Sequence, residues 1–151
     1  MKSARFFLYL SAGLLAYGCG GSDGQALDPD ANIISSSISL TNGSGTAVAV
    51  IPATGTPAGV VTGRIRLNPG LDVDFTSARM SVVRDDSVAL SGSPATMDYN
   101  AFNGEFSAAL GVPANTSTSV RTYTLSITAR DSSAAPVPFV SRIGTFTQAA
   151  P

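Results

Sequence analysis

The stretch RTYTLSITAR, residues Arg121 to Arg130, decides how the chain is read. Tyr123, Leu125, Ile127 and Ala129 alternate there with Thr122, Thr124, Ser126 and Thr128. A period of two gives an extended strand one apolar and one hydroxylated face, whereas a helix would scatter the same apolar residues around its circumference. Working outward, Glu105 to Val112 repeats the pattern, with Phe106, Ala108, Leu110 and Val112 on one side. Met97, Tyr99 and Ala101 alternate just before it, and Asn103-Gly104 lies between the two runs. Asn-Gly in that position predicts a hairpin, because both residues tolerate positive φ.

Further upstream, Ile65 and Leu67 alternate with Arg64 and Arg66, and Leu71, Val73 and Phe75 alternate with Asp72 and Asp74. Asn68-Pro69-Gly70 between them predicts a type II turn, with Pro fixing φ and Gly supplying the positive φ at the third position. Such a hairpin would set Arg64 and Arg66 opposite Asp72 and Asp74 on an exposed face. Strands are also expected over Ile34 to Leu40, Thr46 to Ile51, Arg79 to Arg84, Val88 to Ser91 and Phe139 to Thr147. Ala47 to Ile51 is apolar on both faces and predicts a central, covered strand. In Phe139 to Thr147 the alternation breaks near Ser141. No helical period is sustained after Cys19, so the expected fold is all-β, an antiparallel sandwich of roughly seven to nine short strands.

Composition agrees with that class. Charged residues are 13%, neither His nor Trp occurs, and β-branched runs are broken by Gly and Pro. The 151 residues suit one domain after an export segment. Residues 1–18 read as a signal peptide, 19–31 as a tether and 32–151 as the sandwich domain. Lys2 and Arg5 precede an almost wholly apolar run from Phe6 to Ala16, too short for the ~20 residues that span a bilayer. Without those two cations, seven Arg face ten acids, and no Lys remains. A mildly acidic surface of that kind argues against nucleic acid as a partner, since phosphate neutralisation needs clustered Lys and Arg. It also offers no polybasic patch to anionic lipid.

Leu15-Ala16-Tyr17-Gly18-Cys19 resembles a bacterial lipobox, in which a small residue precedes a cysteine that becomes lipidated. It departs from the usual pattern by placing Ala16 three before and Tyr17 two before the Cys. The resemblance implies a diacyl anchor at Cys19, hence a membrane-held lipoprotein at the outer membrane, the cell surface or a periplasmic face. Two acyl chains hold durably where one holds marginally. The other reading is ordinary cleavage after Gly18, leaving Cys19 as a lone thiol. The Gly- and Asp-rich run from Gly20 to Ala31 suits a linker holding the domain off the membrane.

A second resemblance covers about 30 residues. Asn103-Gly104-Glu105-Phe106-Ser107-Ala108, Leu110-Gly111-Val112-Pro113 and Tyr123 to Ser132 look like the back half of bacterial Ig-like domains. Ser132 to Pro138 stands where those domains usually have a Gly-Asn turn. The resemblance implies an immunoglobulin-like sandwich, here without the Cys-Trp-Cys signature.

Catalytic chemistry is sparse. Lacking His removes the commonest general base and transition-metal ligand. A single Cys at the tether removes thiolate catalysis and Cys-rich zinc sites. The letters G-x-S-x-G occur at Gly20 to Gly24, but inside the expected linker and without the strand-to-helix turn of a nucleophile elbow, and no phosphate-cradling Gly loop occurs. Asp98 and Glu105 flank the expected hairpin and are the one carboxylate pair to weigh as a glycosidase, against the plainer reading of surface acids. Asp28, Asp30 and Asn32 have alternate spacing compatible with Ca²⁺, against a solvated turn leading into the first strand. Asp72 with Asp74, Asp85 with Asp86, and Asp131 are further oxygen donors at loop ends. Tyr99, Phe102 and Tyr123 could form a sugar-stacking platform, against packing at the core or hairpin tip. Asn42-Gly43-Ser44 and Asn115-Thr116-Ser117 match N-glycosylation sequons. The expectation is therefore a non-enzymatic envelope domain for adhesion or protein interaction. It would need no cofactor and would bind an envelope protein or glycan. A Ca²⁺- or carbohydrate-binding module is the second reading and a carboxylate hydrolase the third.

Overall fold

The structure is a computed structural model that describes residues 33–68, 73–130, 132 and 138–151, with 138–142 described as backbone. Among these residues eight strands occur: β1 (Ile33–Asn42), β2 (Gly59–Leu67), β3 (Arg79–Arg84), β4 (Ala95–Thr96), β5 (Asp98–Asn100), β6 (Glu105–Val112), β7 (Arg121–Arg130) and β8 (Pro138–Gln148). They form two four-stranded sheets, β1-β2-β6-β5 and β4-β3-β7-β8, antiparallel throughout. No helix occurs among the described residues.

Alternation does the work in the core. Tyr123, Leu125, Ile127 and Ala129 of β7 are buried, and so are Phe106, Ala108, Leu110 and Val112 of β6. Val61, Ile65 and Leu67 of β2 and Met80 and Val82 of β3 complete the packed layer. Gly63 matters for spacing: a Cβ there would lie 2.6 Å from Met80 Sδ and 3.2 Å from Leu125 Cδ1. The bare backbone at Gly63 lets Met80 and Leu125 of the second sheet pack closely against β2.

Both open sides of the sandwich are bridged. On one side the chain passes from β4 through buried Met97 into β5, so one short segment changes sheet. On the other, Val48 N–H donates to Leu40 O, while Ile51 forms a parallel bridge to Gln148. The expectation of a central strand over Thr46 to Ile51 is thus corrected. Only Ile51 in that run is fully buried, Val50 is exposed, and the segment straddles two sheet edges. Ile51 and half-buried Val48 are the apolar side chains that this connector sets against the sandwich.

The expected hairpin at Asn68-Pro69-Gly70 is also corrected. Residues 69–72 lie outside the described residues, but Asp74 N–H donates to Arg130 O at the end of β7. The chain has therefore crossed to the other sheet by residue 74. Arg64 instead meets Glu105 across β2 and β6, at 3.6 Å. Asp72 is outside the described residues. In β8, the irregularity near Ser141 corresponds to a bulge: Gly144 pairs with Leu125 and Arg142 with Ser126, leaving Ile143 as the extra residue.

Candidate functional site

The β5–β6 hairpin carries the most unusual surface feature. Its register pairs Asn100 with Glu105, so the loop is Ala101 to Gly104. Gly104 has φ 68°, and among the described residues Asn103 is not in the positive-φ region, so Asn-Gly serves as the last two loop residues rather than a two-residue turn. Asn100 Oδ1 accepts from Phe102 N–H at 2.9 Å, and Asn103 Oδ1 accepts from Glu105 N–H at 3.1 Å. Gly104 N–H donates to Asn100 O at 2.8 Å. A loop held by three local bonds presents Phe102, which is 99% exposed.

Beneath it lies a cleft of about 320 Å³ at the end of the sandwich. Phe75, Tyr99 and Phe106 form its wall, with Tyr99 stacked on Phe75 at 4.2 Å between ring centres and tilted against Phe106 at 4.8 Å. Phe106 is buried, while Phe75 and Tyr99 are 50% and 39% exposed. Arg66, Asn68 and Asn103 supply polar lining, and neither Asp nor Glu lines the cleft among the described residues. Leu67, also in the lining, is opposite Ile33 in the β1–β2 register. The cleft and the start of β1 therefore share one pole of the molecule.

The structure brings Tyr99 and Phe102 together at this cleft and takes Tyr123 away from it. Tyr123 is buried at the opposite pole, stacked on Phe146 at 4.9 Å. Its hydroxyl donates to Gln148 Oε1 at 3.0 Å, and Gln148 Nε2 donates to Pro113 O and Pro52 O. Beside it, Asn115 Nδ2 donates to Ser119 O and Ala149 O, both at 2.8 Å. That amide is consumed and buried, so the second sequon is a structural latch. Alternation could not have identified Phe75 and Arg66 as cleft residues, because both depend on where the crossover after β2 lands.

Asp98 is exposed on β5, and Glu105 is engaged by Arg64; neither lines the cleft. Asp74 Oδ1 accepts from the hydroxyl and amide of Thr76, and these bonds hold its carboxyl below the usual range. Asp86 is likewise lowered, by its hydrogen-bonded ion pair with Arg84. Cys19, Asp28, Asp30, Asn32 and Asp131 lie outside the described residues. No group of three or more His, Cys, Asp or Glu side chains that could hold a metal occurs among the described residues. Set beside known proteins, the chain matches no family profile, no curated protein and no solved structure.

Proposed function

We propose that this protein is a non-catalytic lipoprotein of the cell envelope, anchored through Cys19, whose immunoglobulin-like sandwich is a binding or scaffolding domain. One observation carries the binding role: a fully exposed Phe102, fixed by its own loop above an aromatic cleft. Leaving a Phe ring in water forfeits about 1.5–3 kcal/mol of burial, and with half-exposed Phe75 and Tyr99 around the same cleft it forms an exposed apolar patch of the kind that marks contact surfaces.

The strand order supports the immunoglobulin-like reading. Lettering the strands in chain order, with β4 as the extra C′, reproduces A-B-E-D facing C-F-G. Gly63 and Leu125 then stand on strands B and F, where antibody domains carry their inter-sheet disulfide; here close apolar packing fills that place. The leader and lone Cys support the address.

Two measurements test the reading. Mass spectrometry of the mature protein should find an N-terminus at an acylated Cys19, and an unmodified residue there would reject the anchor. With Cys19→Ser removing the acyl anchor from both forms, isolated envelopes should retain the chain more weakly once Phe102→Ala is added, by tenfold or more in apparent affinity. Equal retention of both forms would reject the cleft as the contact face.

A further inference from the structure

The aromatic cleft carries its own chemical preference. Phe102 offers both ring faces, and Phe75 and Tyr99 add half-exposed rings at fixed separation. Flat apolar faces of this kind suit the C–H faces of a pyranose ring. The cavity volume of about 320 Å³ lies at the small end of ligand sites, which run roughly 300–1,000 Å³.

The polar lining carries charge of one sign. Arg66 has no ion pair or hydrogen bond among the described residues, because Glu105, its register partner, is taken by Arg64. Asn103 spends its Oδ1 on Glu105 N–H, which leaves the Nδ2 amide as a donor. Arg66 is the one charged group among the described lining residues, with the amides of Asn68 and Asn103 and the Tyr99 hydroxyl as neutral polar groups beside it, so the cleft favours an acceptor-rich, negatively charged ligand. Arginine meets a carboxylate through two parallel N–H···O bonds, so such a ligand would be both held and oriented.

Position narrows the source. Cys19 and Ile33 are fourteen residues apart, a reach of at most about 50 Å fully extended. Ile33 enters the fold opposite Leu67, a cleft residue. On the anchored reading, on which this inference rests, the cleft stands at the pole where the tether enters the fold. We infer that the cleft binds a carboxylate-bearing pyranose of a glycan close to that membrane, its ring against Phe102 and Phe75 and its carboxylate on Arg66.

Calorimetry on the purified full chain tests this with three probes. These are hexuronic-acid oligosaccharides, neutral gluco-oligosaccharides of equal length, and vesicles displaying a glucuronosyl diacylglycerol. Binding of the acidic oligosaccharide at least tenfold tighter than the neutral one is expected. Arg66→Gln should erase that ratio, and Phe102→Ala should weaken both sugars tenfold or more with an unchanged melting temperature. Preference for these vesicles over vesicles of the same lipid without the sugar would assign the ligand to a glycolipid headgroup, and equal affinity per sugar to a free polysaccharide. No heat with any probe, or no preference for acid over neutral, would overturn the inference. If envelopes still retained the chain through Phe102 in that case, the binding-domain reading would stand and only the ligand class would fall.

Discussion

At the residue scale, each side chain's value follows from which face of its strand it occupies. Leu125 and Ile127 are buried in β7, while Thr124, just before them, is half-exposed on the other face. Leu125→Ala and Ile127→Ala should each destabilise by roughly 2–5 kcal/mol, because a cavity remains where the side chain was. Thr124→Ala should cost far less, and equal losses at all three in urea melts would contradict the face assignment. Tyr123→Phe isolates a different term. Its hydroxyl supplies the proton to Gln148 Oε1, an atom within a wholly buried side chain. Removing that donor leaves an acceptor dry and unpaired, a cost of about 1–3 kcal/mol. The same melts should show it, with stacking on Phe146 kept.

At the scale of elements, the outer edge of β1 stands out. Its register places Ser35 and Ser37 opposite Arg66 and Arg64, hence on the solvent face, and among the described residues β2 is its only sheet neighbour. Along Ile33 to Ser39 the outer edge makes no ladder bonds among the described residues. An open edge is a template for another strand, and a serine-rich one is a poor template because it buries little on pairing. The double substitution Ser35→Val, Ser37→Val should therefore raise aggregation on mild heating, read by light scattering, with little change in the urea midpoint. Unchanged scattering would mean that something else covers this edge. Short β4 and β5, two and three residues long, limit the same hazard on the opposite side.

For the whole molecule, pH dependence follows from the acids alone. The chain contains no His, so no side chain ordinarily titrates between pH 5 and 8, and stability should be level across that range. Asp74 and Asp86 have carboxyls lowered by Thr76 and by Arg84. A lowered folded value means the contribution is present above the ordinary carboxylate value of about 3.9 and is lost as pH falls through the folded values. Thermal melts should decline only below about pH 4, and Asp74→Asn with Asp86→Asn should make that decline shallower. A decline that begins near pH 6 would point to an acid whose value is raised instead.

The period-2 pattern in Tyr123 to Ala129 and Phe106 to Val112 was enough to determine two strands, their buried faces and the all-β class, since alternation is a local property that burial rewards directly. The hairpin at Asn103-Gly104 was legible as well, though its loop is two residues longer than a tight turn. What neighbours cannot specify is where a crossover lands. Whether Asp74 would face Arg64 or sit beside Arg130, and whether Ile51 would lie within a sheet or between two edges, depended on contacts far apart in the chain. The cleft belongs to that second category. Phe75 arrives from a crossover, Tyr99 from an edge strand and Arg66 from the end of β2, and only the packing of two sheets places three such residues around one space.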